Sequence, residues 1–133
     1  MKYLKIIIFV LVYLFLACEK EKIEPIDMPA GLYAIWIENG YKGDVSIFEK
    51  SSGFDENKYG FQLLSNGKFI ERKNSGWCGT PPITYEDYEG KWSKVSDSLI
   101  NVEVPYWGGT MVFDMEIVSV NQNELKVRYR YKN

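Results

Sequence analysis

The residues best equipped for chemistry sit in Tyr85-Glu86-Asp87-Tyr88-Glu89, which places three carboxylates and two phenols in five positions. Paired carboxylates can divide acid and base duties in glycoside cleavage, and clustered ones can ligate calcium. No Asp-x-Asp-x-Asp loop accompanies them, and nothing in the pattern withdraws these side chains from water, so a solvated turn is the simpler expectation. Cys78, in Gly76-Trp77-Cys78-Gly79, is the second candidate. A nucleophilic cysteine needs a base beside it, and the chain has no histidine. The same lack removes the commonest general base and the usual imidazole metal ligand. The residues therefore predict no enzyme, no catalytic set, no cofactor and no metal.

Binding groups are more plentiful. Trp36, Trp77, Trp92 and Trp107, with the tyrosines of the same region, could form a stacking surface for sugars. Aromatic side chains are also what fills a small all-β core, and that use is favoured here. The segment Asn74 to Pro82 stands out: Gly76 and Gly79 permit unusual backbone, Pro81-Pro82 stiffens its exit, and Trp77 and Cys78 are costly to expose. Trp77 and Cys78 either plug one end of the fold or line the lip of a pocket. Trp107, beside Gly108-Gly109 at a strand end, is the tryptophan expected nearest an opening. Trp77, Trp107, Tyr85 and Tyr88 are thus the candidate ligand-binding residues. The row Lys126, Arg128, Arg130 and Lys132 is read as the wet face of a strand, with an anionic partner as the sharper alternative.

The start of the chain sets its address. Lys2 and Lys5 precede an uncharged run from Ile6 to Ala17, followed by Cys18 and then Glu19-Lys20-Glu21-Lys22. Those 12 residues would span roughly 18 Å as a helix, too short for a hydrocarbon core of about 30 Å but suited to a signal peptide. Leu16-Ala17-Cys18 resembles a lipobox, with Phe15 departing from the usual Leu or Val; the resemblance implies that Cys18 carries lipid and becomes the N-terminus. Acyl chains, at about 0.8 kcal/mol per buried methylene, would then hold the protein on a membrane. The expected division is a signal peptide over 1–17, a lipidated tether over 18–30 and one domain over 31–133. Lipid on Cys18 would leave Cys78 without an intramolecular partner; an unlipidated Cys18 would permit a Cys18–Cys78 disulfide. Without Lys2 and Lys5 the remainder is mildly acidic and has no basic stripe, which argues against nucleic acid.

Short runs separated by turn residues must position any site in 31–133. No stretch keeps a helical apolar stripe with caps. Expected strands cover Leu32–Ile37, Val45–Phe48, Tyr59–Leu63, Lys68–Arg72, Ile83–Tyr88, Lys91–Val95, Leu99–Tyr106, Thr110–Val120 and the last run from Leu125. Asn39-Gly40 and Glu89-Gly90 read as breaks, and Asn66-Gly67 reads as a type I′ hairpin turn. In the last run Leu125, Val127, Tyr129 and Tyr131 alternate with the basic row, as in an antiparallel strand with one buried face. Eight or nine such strands predict a small antiparallel up-and-down barrel; a two-sheet sandwich is the alternative.

Gly31-Leu32-Tyr33, the hairpin Phe61 to Phe69, Tyr88-Glu89-Gly90-Lys91-Trp92-Ser93 and the ending Phe113 to Val127 resemble the small lipocalin-like lipoproteins of Bacteroidota. Gly76 to Tyr85 resembles a stretch of flavobacterial proteins of that kind. True lipocalins open with Gly-x-Trp, whereas Tyr33 stands here. The resemblance implies a barrel and an apolar ligand, and it transfers no catalytic residues; Glu19-Lys20-Glu21-Lys22 after Cys18 resembles the surface-export signals of Bacteroidota lipoproteins, which implies an outer-membrane position, periplasmic or surface-exposed. The expected function is therefore a lipid-anchored cell-envelope protein holding a small apolar or amphipathic ligand near Trp77 and Trp107. The alternative is a protein-interaction or inhibitor module that works through its barrel loops.

Overall fold

Period-two alternation gives each strand one face to bury, and closing the sheet on itself buries all those faces at once without leaving an edge. A computed structural model, which describes residues 27–29, 31–76 and 79–132, shows that solution. Eight antiparallel strands form it: β1 (Ile35–Lys42), β2 (Val45–Ser51), β3 (Gly60–Leu63), β4 (Lys68–Asn74), β5 (Tyr85–Ser96), β6 (Leu99–Tyr106), β7 (Gly109–Val120) and β8 (Glu124–Tyr131). They close in the order β1-β2-β8-β7-β6-β5-β4-β3, so the fold is a barrel and not a two-sheet sandwich. The order is sequential from β3 to β8, while β1 lies between β2 and β3. Residues 52–59 therefore pass outside β1, over the buried Ile37, and Arg72 stands 5.3 Å from the ring of Phe54 on that outer face.

Three local expectations are corrected. Asn39-Gly40 is not the first turn: it forms an irregularity inside β1, with Gly40 at φ 113°, and the chain reverses at Gly43-Asp44 between the paired Lys42 and Val45. At Asn66-Gly67 only Gly67 has positive φ, at 88°. Gly67 N–H donates to the Leu64 carbonyl at 3.1 Å and Leu64 N–H to that of Lys68 at 3.0 Å, a type I turn with a glycine bulge in place of type I′. Finally, Tyr85–Ser96 is one strand running straight through Glu89-Gly90. Its first half pairs with β4 and its second half with β6, with Lys91 in both registers. A Cβ at Gly90 would lie 2.2 Å from the Glu103 carbonyl oxygen, so glycine is required by a close backbone approach.

Inward residues divide the interior into levels. At one end, the base, Met28, Leu32 and Ala34 pack with Trp36 and Trp92. Trp36 Nε1–H donates to the Leu32 carbonyl at 3.0 Å and Trp92 Nε1–H to the Leu64 carbonyl at 2.9 Å, so both buried indoles are satisfied. Lys94 Nζ donates to the Asp27 carbonyl at 2.8 Å, tying the segment before β1 to this end. The middle is filled by Phe48, Phe61, Phe69 and Phe113, linked by ring contacts of 4.9, 5.5 and 6.5 Å. Outside, the basic row of β8 is paired: Arg128 with Asp44 and Glu116, Arg130 with Glu116, Lys126 with Glu124 and Lys132 with Asp114. The row is the wet face of the last strand.

Candidate functional site

At the other end the inward positions turn polar, strand by strand. Along β4 the inward series is Phe69, Glu71, Lys73; along β8 it is Leu125, Val127, Tyr129, Tyr131; on β1 Trp36 gives way to Glu38, and on β2 Phe48 to Ser46. Side chains two apart on a strand share a face, so the buried Phe69 commits Glu71 and Lys73 to the interior. The result is an open recess of about 320 Å³ at the barrel mouth, lined by Glu38, Ser46, Tyr59, Glu71, Lys73, Met111, Tyr129 and Tyr131.

Glu71 is the centre of this site. It is 5% exposed, the buried charged residue of the described part of the chain. Tyr59 Oη donates to its Oε1 at 2.6 Å, and Lys73 Nζ donates to its Oε2 at 2.6 Å. The Tyr59 and Tyr129 hydroxyls are 3.4 Å apart, which extends the network across the barrel. The Lys73 ammonium also lies 5.1 Å from the Tyr88 ring centre. A buried carboxylate without partners would cost several kcal/mol, and this one has a donor on each oxygen.

Burial raises the ionisation of Tyr59 well above its ordinary 10.0, with the neighbouring Tyr129 and the Glu71 carboxylate adding to the shift. Burial likewise raises Tyr129, with Glu71 contributing and the Tyr59 hydrogen bond opposing. Tyr131 is raised by burial and then by Glu71. These three hydroxyls thus keep their protons at neutral pH and stand beside the Lys73–Glu71 ion pair, a set suited to recognising hydrogen-bonding groups.

The candidate residues from the sequence fall around this mouth unevenly. Tyr88 points inward, packs against the core and offers its hydroxyl to the Ser75 carbonyl at 3.5 Å. Tyr85 lines an adjoining recess of about 350 Å³ that shares Glu38 and Tyr59 with the first. Trp107 sits at the β6–β7 turn on the same end, edge-on to Tyr106 at 5.7 Å and 58% exposed. Trp77, Cys78 and the lipidation candidate Cys18 lie outside the described residues. The carboxylates of the 85–89 cluster are exposed and strand-borne: Asp87 makes a two-pronged pair with Arg72 at 2.6 and 3.0 Å, and Glu89 pairs with Lys68 at 3.0 Å. Among the described residues no group of three or more Cys, Asp or Glu side chains could hold a metal ion.

Glu71, Lys73 and Tyr59 were not among the sequence candidates. Their signal was nonetheless present: Phe69-x-Glu71-x-Lys73 puts two charges in phase with a phenylalanine that must face inward. Comparison of the chain with family models, with curated proteins and with solved structures found no match.

Proposed function

We propose that this chain is a lipid-anchored envelope protein of lipocalin-like form, without enzymatic activity, that holds a small amphipathic ligand at the barrel mouth. The observation that carries this is the recess around Glu71, where polar side chains stand in place of the buried apolar ones of the core. Inward polar groups at this density weaken a core, and natural barrels keep them where a site needs them. The phenylalanine level below the mouth is filled, so a ligand sits at the rim and is not threaded deep into the interior. Burial of its apolar part against Met111, Tyr129 and Tyr131 would supply affinity, and the polar groups would supply orientation. Asp27 and Met28 lie at the base. A tether running from them to a lipid on Cys18 would leave the mouth facing away from the bilayer.

Native mass spectrometry of the protein purified from its own host tests this. A bound small molecule that is lost in a Glu71→Gln variant is expected; a bare mass in the wild type contradicts it. Fatty-acid labelling tests the anchor, since a Cys18→Ser variant labelled as strongly as wild type removes it.

One observation favours a second function, protein binding through the loops. Tyr41 (80% exposed), Trp107 and Tyr131 are large apolar side chains standing at the mouth end. Exposed aromatics at an open rim are a frequent feature of interaction surfaces. Co-purification of a stoichiometric protein partner that Trp107→Ala abolishes would favour it over the small ligand.

A further inference from the structure

We infer that the mouth recess is built for a neutral polyhydroxylated ligand, a saccharide unit, rather than for a fatty acid, an amine or an anion. This rests on the proposed mouth site and specifies its chemistry. The groups lining the recess decide it by what they leave unused. Glu71 spends one lone pair of each carboxylate oxygen on Tyr59 and Lys73 and retains the others. Lys73 has three N–H donors and gives one to Glu71. The Ser46, Tyr129 and Tyr131 hydroxyls can each donate and accept, and Glu38 adds acceptors at the rim. One small recess therefore presents donors and acceptors side by side.

A carboxylate ligand accepts only, and it would meet Glu38 and Glu71, with the exposed Glu86 opposite Lys73 in the β4–β5 register. An ammonium ligand donates only, and it would compete with Lys73 for Glu71. A hydrocarbon would strip water from Glu71, Lys73 and the tyrosine hydroxyls and return no hydrogen bond. A sugar hydroxyl both donates and accepts, so it matches the mixture and carries no charge to repel. The C–H face of a sugar ring also needs an apolar wall. Met111 and the Tyr131 ring, 64% exposed and stacked at 6.1 Å and 14° on Tyr129, provide it. The volume of about 320 Å³ lies at the lower end of ligand sites, enough for a single small unit at the end of a longer chain.

Saturation-transfer NMR on the full chain, held in phosphocholine nanodiscs, separates the classes. The probes are methyl β-glucoside, methyl β-galactoside, N-acetylglucosamine and maltose, with hexanoate and spermidine as the charged controls. At least one neutral sugar is expected to bind. Its affinity should fall roughly tenfold or more in Glu71→Gln, the size of one charge-assisted hydrogen bond. A smaller loss is expected in Tyr131→Ala, an exposed change that preserves folding. Hexanoate or spermidine binding at Tyr129 and Tyr131, with no sugar bound, overturns the saccharide assignment and leaves the mouth site standing. Sugar binding that neither variant weakens also overturns it, because the site would then lie elsewhere. No binding by any probe overturns both the assignment and the site.

Discussion

The two ends of this barrel are made from the same strands and lined by different kinds of side chain. At the base the buried inward side chains are apolar, both indole N–H groups have carbonyl partners, and Lys94 ties the segment before β1 to this end through the Asp27 carbonyl. At the mouth the same strands present Glu38, Ser46, Glu71, Lys73 and three tyrosines. The switch takes place over one inward step, from Phe69 to Glu71 on β4 and from Val127 to Tyr129 on β8. A closed sheet fixes strand positions so firmly that one end can supply the stability while the other is released for recognition. The polar end is therefore expected to matter little to folding and much to binding.

Substitutions at the two ends should separate accordingly. The largest effect belongs to the base: Trp36→Ala removes a fully buried indole and should cost about 3–5 kcal/mol by chemical denaturation. If the loss is below about 1 kcal/mol, the base is not where stability resides. Gly90→Ala comes next, at about 3 kcal/mol, because the added methyl must push β5 off the β6 backbone. An equally stable alanine variant would show that the close approach of β5 to β6 is soft.

A third effect appears only in alkali. Tyr59 and Tyr129 ionise above 10.0 in the fold, because of their burial, and near 10.0 when unfolded. Their contribution is therefore fully present below pH 10 and is lost as pH rises through the folded values. Phenolate absorbance from Tyr59 and Tyr129 should accordingly appear together with unfolding; a smooth titration of all tyrosines near pH 10 in the folded protein contradicts the burial of the mouth network. The smallest effect is Tyr131→Ala, below about 0.5 kcal/mol in stability because the side chain is mostly in water, yet it should reduce ligand affinity.

Much of this architecture was legible in the sequence. The count of short runs predicted the barrel class and the alternation in β8 predicted its inward face, because a half-buried antiparallel strand writes its environment into every second residue. Glycines misled where their role was not the usual one. Glu89-Gly90 reads as a turn, but its glycine serves a close approach between strands that no local pattern reveals. Asn39-Gly40 likewise became an irregularity within β1 after the turn formed at Gly43-Asp44. The polar network escaped notice for a different reason. Tyr59 and Glu71 are 12 residues apart and meet through the β3–β4 hairpin, whereas Tyr59 and Tyr129 are 70 apart and meet only because the barrel closes. Within β4 alone, charges at Glu71 and Lys73 do not distinguish an inward face from a wet one; the burial of Phe69 does.

The most direct test of the division between the ends is the unfolding free energy of a Glu71→Leu/Lys73→Met double variant. Replacing a buried ion pair with apolar side chains of similar size is often neutral or stabilising by about 1–4 kcal/mol. A variant as stable as wild type or more so, and unable to bind at the mouth, is the predicted result. A loss of about 3 kcal/mol or more would make the pair a structural support and contradict the account.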